Sequence, residues 1–419
     1  MNSPFDEAKR QIDFAADKLG IDQPLRKRLK KPDLFYSFWV RIRLDSGQQA
    51  KFMGFRSQYN NALGPYKGGI RFHPNETAET IKALSAWMTW KCSLTGLPLG
   101  GGKGGIICDP SELSEWELER LSKAYVKKIR KIIGPWKDIL APDVYTNSQT
   151  MAWMLEEYET LMKTSAPGTF TGKPVELGGH KGRTESTGKG VVIITREALK
   201  KLVQVHDEKL KPRQTSVIIQ GFGNVGQFVA KYYEELGIKV IGYSDSSGAI
   251  YKEKGIKFKD VLAHKKKEGK LSTMKGVKHM SNETLLEQKC DILAPCALEG
   301  VITKKNADKI KAKIIAEGAN GPTTLDADKI LYKKGILVIP DILCNAGGVI
   351  GSYFEWNINN TGEHWTLAKY NENLDAILTD SFNRVYEMYE KEKTINFRET
   401  AYLVAVKRVV DAMRLRGRI

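Results

Sequence analysis

The chain has 419 residues, 41% of them hydrophobic and 27% charged, which describes a globular protein too long for one ordinary core and so divided into two domains. No apolar run approaches the roughly 18 residues of a membrane helix, and residues 1–20 mix Asp6, Glu7, Lys9, Arg10 and Asp13 among apolar positions, unlike a secretory leader, so a cytoplasmic protein is expected. The net charge of +17 raises the question of nucleic-acid binding, but the basic residues are dispersed and carry no RNA-recognition or zinc-finger signature; a solvated surface that gathers anionic substrates and dinucleotides is expected instead.

In chain order, the pattern predicts a helical stretch over 4–30 and then strands over 34–44 and 49–58, the first alternating around Phe38, Val40, Ile42 and Leu44. Helices are expected over 77–95, 114–133 and 148–163. In the first of these, Lys91 shares a stripe with Ile81, Leu84, Trp87, Met88 and Leu94, so it is expected to point inward, where a lysine is paired or snorkels. Two further lysines sit among glycines, Lys67 in Tyr66-Lys67-Gly68-Gly69 and Lys103 in Gly100-Gly101-Gly102-Lys103-Gly104-Gly105. Each stretch is either a flexible turn or a place where a ligand approaches the backbone. The second is no phosphate loop, because Gly104 stands where Ser or Thr should hold magnesium. Lysines in such surroundings suit a small dianion. Asp143 follows Pro142 and lies rather far from Ser148 to cap the helix there.

Residues 164–183 are rich in Gly, Pro and Thr and mark a domain break. Beyond them, short β-branched runs (216–220, 239–243, 291–294, 313–316, 336–339) alternate with helical stretches, as in a doubly wound parallel sheet. The first run leads into Gly221-Phe222-Gly223-Asn224-Val225-Gly226 and a helix. Gly221 permits the tight turn, Gly223 the approach of a pyrophosphate, and Gly226 close helix–strand packing. Asp245, after the next run, is placed to accept from an adenosine ribose, which favours NAD. Ser244, Ser246 and Ser247 offer donors to a 2′-phosphate, so NAD or NADP remains open. Residues 374–414 look wholly helical. The five cysteines are scattered without Cys-x-x-Cys pairs, and neither a disulfide nor a metal is expected.

Taken together, Lys67-Gly68-Gly69, Lys91, the glycine-flanked Lys103, Pro142-Asp143, Gly182-Arg183-Thr184-Glu185-Ser186-Thr187-Gly188 and Asn345-Ala346-Gly347-Gly348-Val349 resemble the glutamate dehydrogenases, from about Phe35 to the C-terminus. The resemblance implies an α/β protein of two domains: a substrate-binding and oligomerisation domain over 1–180, a Rossmann-type dinucleotide domain over 181–392, and a last helix from about 393 packed back on the first. It also implies roles. Lys91 would hold the substrate α-carboxylate, Lys67 and Ser352 the side-chain carboxylate, with Gly68 in backbone contact and Ala141 and Val349 lining the pocket. Lys103 would work on a bound water as general acid–base and Asp143 would relay protons. Thr187, Asn320 and Asn345 would sit near cofactor or substrate, beside Gly221 to Gly226, Asp245 and Ser246. Reversible oxidative deamination of L-glutamate by a homohexamer is the implied activity, with branched-chain or aromatic amino-acid dehydrogenases of the same family as the alternative.

Overall fold

The structure, a computed structural model, describes residues 3–206, 212–392 and 394–419. The chain forms two compact units, one of Met1–Arg183, Val349–Asn371 and Tyr402–Ile419, the other of Thr184–Gly348 and Glu372–Ala401. This division differs from the expected one. Val349–Asn371 belongs with the first unit, and the return of the C-terminal chain begins at Tyr402 rather than about 393. The reason is packing: Trp356 Nε1 donates to the Pro135 carbonyl at 2.7 Å, and Glu355 accepts from the Gly172 N–H at 2.7 Å.

In the first unit, β1 (Leu34–Arg43) and β2 (Gln49–Asn60) pair antiparallel, and Phe38, Val40 and Ile42 alternate into a core with Tyr125, Met151, Met154 and Phe170. The sheet continues with β3 (Tyr66–Phe72), β4 (Gly101–Ile106) and β5 (Asp138–Pro142) in the order β1-β2-β4-β3-β5, with β4, β3 and β5 mutually parallel. Both lysine–glycine stretches are therefore strands, not turns. Glycine disfavours strands in general, but here closeness demands it. A Cβ at Gly68 would lie 1.6 Å from the Gly102 carbonyl oxygen, one at Gly101 2.3 Å from the Thr89 nitrogen, and one at Gly104 2.2 Å from the Tyr125 hydroxyl. The stretch over 4–30 is two helices, Pro4–Lys18 and Gln23–Leu29, because Gly20 turns the chain at φ +62° and Asp22 caps the second.

The strands of the second unit are β6 (Ser216–Gln220), β7 (Lys239–Asp245), β8 (Gly248–Tyr251), β9 (Lys278–Met280), β10 (Ile292–Pro295), β11 (Ile314–Ala316) and β12 (Leu337–Ile339), and they form one sheet in the order β12-β11-β10-β6-β7-β8-β9. Strands β12 to β7 are parallel, and β8 and β9 add antiparallel edge strands. Successive connections leave β6 to opposite sides, so the gap between the carboxyl ends of β6 and β10 is the point where the winding reverses and where such sheets take ligands. The stretch over 374–414, expected to be wholly helical with a last helix from about 393, is two helices, Leu367–Lys391 and Phe397–Leu415. Asn396 and Glu399 exchange side-chain and backbone hydrogen bonds as a capping box, which starts a new helix there. Among the described residues no helix is long and apolar enough to cross a membrane.

Candidate active site

Lys67 lies on β3 and is 1% exposed. Its Nζ donates to the Thr171 hydroxyl at 2.9 Å, and that hydroxyl is hydrogen-bonded to the Ser352 hydroxyl. Among the described residues Lys67 forms no ion pair with a carboxylate. Burial pulls its pKa down to about 7, Arg183 and Arg56 push the same way, and Cys92 and Glu355 oppose them. The site is thus a buried ammonium flanked by two hydroxyls, poised to keep its proton when an anion arrives. Beneath it, Arg56 and Asp138, both fully buried, form an ion pair, and Arg56 Nη1 donates to the Gly68 carbonyl at 3.3 Å. That bond fixes the strand next to Lys67.

Lys103, on β4 and 4% exposed, donates from Nζ to Asp143 Oδ2. Asp143 follows β5, where the register sets Gly69 opposite Ala141. A Cβ on Gly69 would come within 2.8 Å of the Asp143 side chain, so this glycine makes room for the carboxylate. The helix Ser148–Met162 is capped by Asn147 through a capping box with Thr150, which leaves Asp143 free of that task. Instead its Oδ1 accepts from the Val144 N–H at 2.8 Å and approaches Arg71 Nε at 3.5 Å, while its own N–H donates to Thr146 Oγ1 at 2.8 Å. Tyr145 adopts φ +57°, a left-handed conformation uncommon for a non-glycine residue. Burial raises the Asp143 carboxyl, but Lys103, the Val144 N–H and Arg71 outweigh it and hold it below the usual carboxylate range.

Lys91 lies on the helix Ala78–Leu94, which Thr77 caps. Of the expected stripe, Ile81 and Leu94 are fully buried, but the rest is not. Ile81, Ser85, Ala86, Thr89, Trp90 and Ser93 face the interior, whereas Leu84, Trp87, Met88 and Lys91 are half-buried. A half-buried lysine can meet a ligand from solvent. Burial pushes the Cys92 thiol up to about 12, and the charges of Lys67 and Lys91 oppose that rise. Ala141 is 7% exposed and Val349 8%, both in this unit.

In the second unit the turn after β6 has the form a dinucleotide needs. Gly221 takes φ +98°, and a Cβ on Gly226 would lie 1.8 Å from the Gly221 carbonyl oxygen. Gly223 is exposed, and a Cβ added to it would meet nothing within 4 Å, so the approach from that side is open. It caps the helix Asn224–Glu235 without any side-chain hydrogen bond, leaving the first N–H groups, from Asn224 and Val225 onward, to an anion. These residues fit a pyrophosphate. Asn345 donates from Nδ2 to Asn320 Oδ1 at 2.9 Å and to the Ala319 carbonyl at 3.1 Å, which joins two expected residues. Thr187 lies in the first turn of the helix Ser186–His206, whose Gly188 packs closely on Phe228. Asp245 is more occupied than expected: it accepts from Lys265, from Ser247 N–H at 2.8 Å and from Leu271 N–H at 3.0 Å, and its side chain is 6% exposed. Ser246 beside it is exposed.

Two family models match the chain: "Glu/Leu/Phe/Val dehydrogenase, dimerisation domain" over residues 32–160, and "Glutamate/Leucine/Phenylalanine/Valine dehydrogenase" over 178–417. The catabolic NAD-specific glutamate dehydrogenase of Bacillus subtilis is 46% identical over 406 residues, 97% of this chain and 94% of that protein. The crystal structure of glutamate dehydrogenase from Peptoniphilus asaccharolyticus is similar at 41% identity with a TM-score of 0.88, covering 100% of both chains. The hetero-hexameric glutamate dehydrogenase of Thermus thermophilus, in a leucine-bound form, is similar at 31% identity with a TM-score of 0.91, covering 99% of this chain and 97% of that one. The chain belongs to the Glu/Leu/Phe/Val dehydrogenase family.

Thr171, which links Lys67 to Ser352, is not among the residues that this dehydrogenase's sequence singles out. It lies in the Gly- and Pro-rich break, 104 residues from Lys67 and 181 from Ser352, and only composition is legible there. The nucleotide turn carries its own prediction. Gly226→Ala is expected to weaken dinucleotide binding at least about tenfold, because the added methyl must displace the Gly221 backbone. Titration of NADH fluorescence measures this, and wild-type affinity in the variant would remove the turn from the cofactor site.

Proposed function

We propose that this chain interconverts L-glutamate with 2-oxoglutarate and ammonia, using NAD as the preferred hydride carrier and NADP as the alternative. The observation that carries the substrate is the buried Lys67 ammonium beside the Thr171 and Ser352 hydroxyls. A second carboxylate completes that arrangement, whereas the side chain of leucine, valine or phenylalanine leaves its polar groups unanswered.

In the deaminating direction, Lys91 holds the α-carboxylate and Lys67 with Ser352 the side-chain carboxylate. Gly68 contributes backbone, and Ala141 and Val349 line the pocket. Asp143 removes a proton from the substrate ammonium, which frees the nitrogen lone pair to expel hydride from Cα. The Gly221–Gly226 turn, with Thr187, Asn320 and Asn345, would hold the dinucleotide, which when bound would supply the acceptor for that hydride. Lys103 exchanges protons with a water that attacks the iminium carbon, and ammonia leaves as the carbonyl forms. One water is consumed and one ammonia released. The direct Lys103–Asp143 hydrogen bond supports a path for the proton between nitrogen and water.

Asp245 at the end of β7 supports NAD, and the relatives' names point the same way. Lys265 offsets the Asp245 charge, which supports a tolerance for NADP. Initial rates with glutamate at matched NAD and NADP, repeated with leucine, test the reading. Glutamate is expected to exceed leucine by at least about a hundredfold in kcat/KM, and equal rates with leucine would overturn the assignment. A homohexamer in the cytoplasm is proposed by analogy. The exposed residues Leu34, Tyr36 and Trp39 on the edge strand β1 support association, and sedimentation velocity measures it.

A further inference from the structure

We propose that Glu355 and Lys173 form a positioning pair that sets affinity for the side-chain carboxylate by holding the Thr171 hydroxyl between Lys67 and Ser352. The proposal rests on the glutamate reading above and adds residues that do not touch substrate. Glu355 lies one turn beyond Ser352 on the helix Gly347–Thr361, and the side chains of Glu355 and Lys173 are both fully buried. Lys173 Nζ donates to Glu355 Oε1 at 3.0 Å, to the Pro167 carbonyl at 3.0 Å and to the Phe170 carbonyl. Glu355 Oε2 accepts from the Gly172 N–H at 2.7 Å, and Oε1 from the Lys173 N–H at 3.4 Å. One carboxylate and one ammonium thus tie down the backbone on both sides of Thr171. The Thr171 N–H completes the shelf by donating to the Leu140 carbonyl at 2.9 Å.

A buried ion pair is a poor way to gain stability, since well-packed apolar residues do as well or better. A brace alone needs no charge. Here the charge has a second use. The groups acting on Lys67 are Arg183 and Arg56, which disfavour its proton, and Cys92 and Glu355, which favour it; Asp138 is paired with Arg56. Glu355 therefore helps keep Lys67 charged for an incoming carboxylate while its pairing with Lys173 shapes the pocket.

The test is the pH dependence of KM and kcat for glutamate in the full-length enzyme, with norvaline, which lacks the second carboxylate, as comparison. Glu355→Gln is expected to raise KM for glutamate by about tenfold or more, with the loss carried in KM rather than kcat and with KM for norvaline altered by less than about threefold. The alkaline rise of KM should move to lower pH by roughly half a unit or more, and Glu355→Asp should restore its position. Lys173→Met, which keeps the Glu355 charge and removes its partner, should move that rise to higher pH, and it serves if Glu355→Gln does not fold. Equal losses with glutamate and norvaline, or an unmoved alkaline limb in both Glu355→Gln and Lys173→Met, would overturn the proposal while leaving the glutamate reading intact. A parent enzyme that does not turn over glutamate would overturn both.

Discussion

Lys67→Leu is expected to lower kcat/KM for L-glutamate by roughly a hundred- to several-thousand-fold, the equivalent of about 3–5 kcal/mol for a buried charge deprived of its partner. The charge in question is the substrate's. With Lys67 gone, the side-chain carboxylate must enter a region where only the Thr171 and Ser352 hydroxyls remain to meet it. Apolar amino acids of similar length should gain in the same variant, because they no longer confront an ammonium. Steady-state kinetics with glutamate and norvaline measure both arms, and unchanged glutamate kinetics would refute the assignment of Lys67. The wild-type enzyme carries a related signature. Since Lys67 in the empty pocket loses its proton near pH 7, a dicarboxylate must bind the ammonium form and an apolar side chain favours the amine. The preference for glutamate over norvaline should therefore narrow as pH rises above about 7, by up to roughly tenfold per unit.

Lys103→Ala is expected to abolish measurable turnover, a loss of about 10²–10⁴-fold or more, while NADH binding changes little. Lys103 belongs to the first unit and the glycine turn to the second, so the two measurements separate chemistry from cofactor capture. In the folded enzyme Lys103 also holds Asp143 below the usual carboxylate range. Its removal should let the Asp143 carboxyl rise, so any residual activity should fall away on the acid side at a higher pH than in the parent. Turnover within about tenfold of wild type would exclude Lys103 from proton transfer.

Much of this site is legible in the sequence because its chemistry is written in unusual residues: lysines set among glycines, and a glycine turn between a β-branched run and a helix. The expected Lys103 and Asp143 meet directly, as do Asn320 and Asn345, and Lys67 reaches Ser352 through Thr171. What the sequence conceals has a common cause, that contact between distant segments overrides local preference. The glycine-rich stretches at β3 and β4 look like turns by composition, yet they are strands because neighbouring backbones leave no volume for a side chain. Leu84, Trp87 and Met88 are large and apolar and so point to a core-facing stripe around Lys91, but the buried face of that helix seats Ser85, Thr89 and Ser93 together with Ile81, Trp90 and Leu94. Ser93 is drawn inward by its hydrogen bond to the Ala405 carbonyl, 312 residues away, which no local pattern announces. The position of Asp245 after a strand is plain from the sequence, whereas its engagement by Lys265 and Leu271 depends on a helix and loop 20 and 26 residues further on.

The tight seating of β3 against β4 bears on any redesign of this catalyst. Changes at Gly68 or Gly101 would force main-chain atoms apart, and one at Gly104 would displace the buried Tyr125 hydroxyl; all are expected to cost the fold itself, so a mutagenesis library spread evenly over the neighbourhood would consist largely of unfolded protein. The productive positions are Lys67 on β3 and the side chains brought to it from elsewhere, Thr171 and, on the helix Gly347–Thr361, Val349 and Ser352, and new amino-acid preferences should emerge from combinations among them.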